Sequence, residues 1–185
     1  MKICYLTIAV IALIGIVIGS ALMIMSPSNR KNVSQTNDNA EENTFETTLP
    51  QTEHETQEFA KQLYVLQNPY IGDASADWAI LNTIMEYYGI TSYESMELHT
   101  ETEPYGISLH FGSAPDEIAM QNMAILFLAL VENCERVYWD YETDGVLEIY
   151  GVSLADANTI LACENMKIYS DSEELLLELV QHLSE

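Results

Sequence analysis

The chain has 185 residues, with 29 Asp and Glu against six Lys and Arg, a net charge of −23 and a sequence pI near 4.1. A surface that anionic repels phosphate backbones, which argues against nucleic acid as a partner. The charge is unevenly spread: all 29 acids lie beyond Lys31, so the first thirty residues follow different rules.

From Ile3 to Met25 no residue is charged. A run of that length crosses a bilayer core of about 30 Å as one helix. It exceeds the apolar region of about 7–15 residues expected of a cleaved signal peptide, although Gly19, Ser20 and Ala21 leave that alternative open. Residues 1–25 are therefore expected to form an N-terminal transmembrane anchor in the lipid bilayer. Lys2 on one side and Arg30 and Lys31 on the other nearly balance, so positive charge alone does not set the topology. The acidic remainder favours a single-pass protein with the bulk of the chain extracytoplasmic.

Residues 26–56 are rich in Ser, Thr, Asn, Gln and Glu. Such a segment has too little apolar surface to offset its ordering entropy, and it is expected to be a disordered polar stalk. Residues 57–185 turn aliphatic and aromatic and are long enough for one domain with its own core. There, 23 acids face three bases, Lys61, Arg136 and Lys167, a net of −20. That surface suits a cation, a basic peptide or an amine-bearing polymer, or serves only to keep the domain soluble.

The first predicted element of the domain follows "NPYIGDASADW", residues 68–78. Trp78, Leu81, Met85 and Tyr88, with Ile84, recur at helical spacing. Asp73 or Ser75 caps the helix, Asp77 suits its positive end, and Gly89 stops it. A phosphate cradle would need more glycines and a Lys-Ser/Thr pair, which are absent. No cofactor is expected.

"YESMELHTETEPYGISLHF", residues 93–111, alternates like a hairpin. Paired residue numbers summing to 207 set Thr100 against Ile107, Leu98 against Leu109 and Met96 against Phe111, with Thr102–Tyr105 as the loop. This register brings Glu97 opposite His110 and His99 opposite Ser108. Two histidines on one strand face, with no third ligand in reach, fall short of a metal site. A helix follows from Asp116 to Asn133. Its eight apolar residues Ala124–Val131 predict cover on most sides.

"ERVYWDYETDGVLEIYG", residues 135–151, reads as two strands turned at Asp144-Gly145. Trp139 and Tyr141, if they share an open face, offer with Tyr105 a shallow platform for a peptide or glycan. Two further helices end the chain, the last opened by Ser172 and Glu173–Glu174. Cys134 and Cys163 sit in apolar company and are expected to be free buried thiols. Together these elements predict an α+β domain, a small mainly antiparallel sheet packed with helices.

Three blocks, "LYVLQNPYIGDASADWAILNTI", "TETEPYGISLHF" and "NMAILFLALVENCERVYW", resemble a bacterial domain of unknown function from low-GC Gram-positive bacteria. That domain follows a single membrane anchor or is attached to membrane metallopeptidases of the beta-lactam-sensor type. The resemblance runs from about Leu63 to Tyr141, with Ala74 departing from the commoner Asn. It implies an exported, anchored accessory domain and carries no catalytic residues. The chain has no His-Glu-x-x-His stretch, so it is not itself such a peptidase.

The leading expectation is a non-enzymatic binding or sensing module at the cell envelope. Its partners would be another membrane protein or a cell-wall peptide or glycan. "EPYG", residues 103–106, is either a contact or merely the hairpin loop. The alternative is an envelope hydrolase using Glu97, His99 and His110 on the 93–112 hairpin, which requires those groups to converge in a pocket.

Overall fold

The computed structural model describes residues 52–184. The anchor expected at 3–25 and nearly all of the expected stalk lie outside the described residues. Among those described, no helix is long and apolar enough to cross a membrane.

The first helix, α1 (Glu53–Val65), begins inside the segment expected to be stalk. Thr52 and Glu55 form a capping box: Thr52 Oγ1 accepts from Glu55 N at 3.3 Å, and Glu55 Oε2 accepts from Thr52 N at 2.8 Å. Capping residues are polar by necessity, so a helix start written Thr-Glu-His-Glu-Thr looks like linker. The core-facing side carries Thr56, Phe59, Ala60 and Leu63. The Phe59 ring stacks on Tyr87 at 3.6 Å and meets Tyr88 edge-on at 6.3 Å, joining α1 to the next helix.

That helix, α2 (Ala74–Tyr88), has the expected ends. Asp73 accepts from Ala76 N at 3.2 Å, and Gly89 closes it at φ 64 in the left-handed region. Its buried face differs from expectation. Trp78 is 56% exposed, whereas Asp77, Ile80, Leu81, Ile84 and Met85 are buried. The stripe is rotated one position toward Asp77, which the apolar periodicity could not register because Asp77 is an acid.

The sheet holds β1 (Ser95–His99), β2 (Gly106–Phe111), β3 (Arg136–Thr143) and β4 (Val146–Ser153), in the order β1-β2-β3-β4. The two outer pairs are antiparallel, but the central pair β2–β3 is parallel, so the sheet is mixed. Parallel neighbours need a long crossover, supplied by α3 (Glu117–Leu130). Its N-cap Asp116 accepts from Ala119 N at 2.8 Å, and it ends at Leu130 rather than Asn133. Met123 through Val131 are all buried, because α3 lies among α2, β3, β4 and the 3-10 turn Met166–Ser170.

The β3–β4 turn is as expected, with Asp144 at φ 53 and Gly145 at φ 77, the signs a type I′ turn requires. Ser153 ends β4 and caps α4 (Leu154–Ile160) through a box with Asp156. Ser172 opens α5 (Glu173–His182), accepting from Leu175 N at 3.2 Å.

If α1 belongs to the core, Phe59→Ala in a segment beginning at Thr52 lowers unfolding free energy by about 3–5 kcal/mol. Trp78→Ala, on an exposed helix face, changes it by about 0.5 kcal/mol or less. Urea titration followed by circular dichroism measures both. A neutral Phe59→Ala would return the helix to the stalk.

Candidate functional site

Strand alternation gives the sheet two unlike faces. Ile107, Leu109, Phe111, Val137, Trp139 and Val152 are buried on the side packed by helices. The other side is described by the strand registers in rows. The first row runs His99, Gly106, Arg136, Ser153; the next Glu97, Ser108, Tyr138, Gly151; the third Ser95, His110, Asp140, Ile149. Its side chains are half-buried or exposed, and they carry most of the chemistry within the sheet.

Two glycines shape this open face. A Cβ at Gly106 would lie 2.5 Å from Arg136 Cγ, and one at Gly151 would lie 2.3 Å from Tyr138 Cδ1. The stem of Arg136 therefore lies across β2, toward the hairpin, and the Tyr138 ring lies over β4. The Arg136 guanidinium carbon stands 6.0 Å from the Tyr138 ring centre.

The hairpin register is offset by two from the expected one. Paired residue numbers sum to 205, with Leu98 against Ile107 and Met96 against Leu109. The apolar residues keep their face, since a shift of two preserves parity. The polar partners do not keep theirs: Glu97 pairs with Ser108, His99 with Gly106, and His110 with Ser95. The cause lies on the far side of β2. Gly106 is fixed against Arg136 by the parallel ladder, which starts β2 one residue early and leaves residues 100–105 as the loop.

The predicted Glu97–His110 pair is consequently absent. His110 Nδ1 instead meets Asp140 of β3, at 2.9 Å from Oδ1 and 2.8 Å from Oδ2. His99 Nε2 contacts Ser108 Oγ at 2.7 Å. Among the described residues no carboxylate forms an ion pair with His99, so the Ser–His contact lacks the third group that orients a catalytic base. Nor do three or more His, Cys, Asp or Glu side chains gather there in a metal-binding group.

The aromatic platform is also rearranged. Trp139 and Tyr141 do share a face, but it is the helix-packed one, and Trp139 is only 4% exposed. Tyr150 stacks between them, 6.1 Å from Trp139 and 5.7 Å from Tyr141. Tyr141 donates its hydroxyl hydrogen to Tyr150 Oη at 3.3 Å. The Tyr141 hydroxyl beside it pushes the Tyr150 hydroxyl up to about 12. Tyr105 precedes β2 at the opposite end of the sheet and does not join them.

The block "NPYIGDASADW" has a structural task that periodicity missed. Asp77 is fully buried; Asn68 Nδ2 donates to its Oδ1 at 2.9 Å and Gly72 N to its Oδ2 at 3.0 Å. Burial raises its pKa against the pull of those donors. Asn133 Oδ1 accepts from Ile71 N at 2.6 Å, tying the loop to the chain beyond α3. Lys167 completes the arrangement: its ammonium donates to Leu128 O, to Val131 O at 2.6 Å and to Cys134 O at 2.9 Å. Burial lowers Lys167 to about 8 and lifts the Cys134 thiol to about 11. Both Cys134 and Cys163 are free thiols, though Cys163 is only partly buried.

The whole is an α+β domain with one helix-covered and one open sheet face. Within it, residues 63–153 match the model of a family described as "Domain of unknown function (DUF4825)". The match covers every residue of the sheet and, in the loop network, all but Lys167. No curated protein and no solved structure matches the chain.

Asp77→Asn turns an amide NH2 toward donors that need acceptors, and is expected to cost about 1–3 kcal/mol. Lys167→Met takes a donor from three carbonyls, of which Val131 O keeps Cys134 N at 3.1 Å, and costs a similar amount. Thermal melts of both variants check the pair. Wild-type melting in either would remove the network from the account of stability.

Proposed function

We propose that the chain is an extracytoplasmic docking module, held at the membrane by residues 3–25 on the polar stretch 26–56, and not an enzyme. In this reading it is one of the exported accessory domains of low-GC Gram-positive bacteria that its sequence blocks resemble. The uncharged run Ile3–Met25 and the acid content beyond Lys31 support the placement.

One observation carries the docking role. β4 ends the strand order, has no Lys, Arg or Pro, and exposes Val146 at 56%, Leu147 at 58% and Ile149 at 64%. Edges of soluble domains are ordinarily guarded by charge or proline. An apolar edge whose one charged residue is Glu148 fits an added strand, with backbone hydrogen bonds giving affinity and alternate side chains giving specificity. The net charge of −20 over residues 57–185 selects the occupant. A second copy would be repelled, so the partner is an extended basic segment of another envelope protein.

The hydrolase reading of Glu97, His99 and His110 keeps one supporting contact, between His99 and Ser108. A serine-directed phosphonate that labels the wild-type chain but not Ser108→Ala would revive it.

Two measurements test the docking proposal in intact cells. A cysteine appended after Glu185 is expected to react with a membrane-impermeant maleimide without lysis; labelling only after lysis overturns the topology. A photo-crosslinking residue at position 146 is expected to capture a partner, and Leu147→Lys with Ile149→Lys to abolish the adduct. An adduct that survives the charged edge, or one formed only with a second copy, overturns the docking surface.

A further inference from the structure

Within residues 57–185, whose side chains include 23 acids, Arg136 is one of three basic residues. Lys167 is consumed by carbonyls and Lys61 lies beside Glu58 at 3.9 Å. Arg136 has neither arrangement. Among the described residues its guanidinium forms no ion pair and no hydrogen bond, and its Nε is buried without a partner. Leaving a guanidinium with only the Tyr138 ring beside it among so many carboxylates is unusual, since a bidentate carboxylate is its natural complement.

The surroundings are a built recess. Arg136 lines a hollow of about 420 Å³ together with Glu97, His99, Glu101, Thr102 and Tyr138. That volume falls within the range of small-molecule sites, about 300–1,000 Å³. Gly106 is what permits it, because any Cβ there would collide with Arg136 Cγ and the Arg136 carbonyl oxygen, each at 2.5 Å. The glycine of "EPYG" is thus the floor on which the arginine lies. Glu97 and Glu101 stand on the same rim without reaching the guanidinium as ion pairs. Separated charges of both signs face one hollow.

We infer that this recess binds a small zwitterion, an α-amino acid or dipeptide. Arg136 takes its carboxylate, and Glu97 and Glu101 take its ammonium group. Simple anions are disfavoured by the strongly negative field of the domain. Simple cations meet the uncompensated arginine. A ligand carrying both charges satisfies both sides of the hollow and changes its net charge by nothing. This site is separate from the β4 edge and does not depend on its docking role.

The test uses the full chain in detergent micelles and three probes: alanyl-alanine, N-acetyl-alanyl-alanine and alanyl-alanine amide. Titration calorimetry is expected to show binding of the free dipeptide, weakened about tenfold or more when either end is blocked. Arg136→Gln is expected to remove binding, and Glu97→Gln with Glu101→Gln to weaken it about tenfold with the blocked-amine peptide unaffected. Should Arg136→Gln fail to fold, the three probes on the wild-type chain still decide. Equal binding of blocked and free peptides, or no heat from the free dipeptide at about 10 mM, overturns the inference.

Discussion

A helix that is apolar around its whole circumference has no wet side on which to leave its end groups. This is the condition of the second half of α3, buried continuously from Met123 to Val131, and the rest of the fold answers it. At its start Asp116 takes one orphan amide. At its finish Leu128 O, Val131 O and Cys134 O converge on the Lys167 ammonium, while Leu130 O accepts from Asn68 N at 3.0 Å. An unmet carbonyl in that setting costs on the order of 1–3 kcal/mol. The loop at Asn68–Asp77 and the 3-10 turn bearing Lys167 are thus ordered by the same requirement. Segments a hundred residues apart in sequence are fastened to one helix end.

Once α3 is the crossover, the sheet follows. A helix between β2 and β3 makes that pair parallel and leaves one sheet face to the helices. The opposite face is free of packing duty and can hold polar and charged groups without satisfying them all internally. Glycines at 106 and 151 appear where large neighbours must lie flat. The two sides have divided labour: stability resides with the helices, available chemistry with the open strands.

Much of this was legible in the residues. Caps at Asp73 and Ser172, the start of α3 near Asp116, the stop at Gly89 and the Asp144-Gly145 turn are local chemistry, and each was readable without knowing what packs nearby. What depended on distant partners was not. The hairpin register was set by β3 rather than by the hairpin itself, so the two-residue offset exchanged Glu97 for Asp140 as the neighbour of His110. Trp78 and Asp77 traded places because an acid can be buried when Asn68 and Gly72 bring their N–H groups to it. The helix α1 was hidden by its own capping residues. Trp139 looked available because its company was aromatic, yet the helix side of the sheet covers it. Arg136 drew no notice as a site residue, although its rarity in so acidic a chain was a usable signal.

The carbonyl bonds of Lys167 also bear on how the domain can be attached to things. Amine-directed reagents reach a primary amine only if it is accessible, and between residues 52 and 184 the only other lysine is Lys61, on the solvent side of α1 with its side chain 58% exposed. Coupling through amines within this domain therefore favours Lys61, since the Lys167 ammonium is held by carbonyls. A bead, dye or sensor surface joined there is attached through α1 and not through the strands.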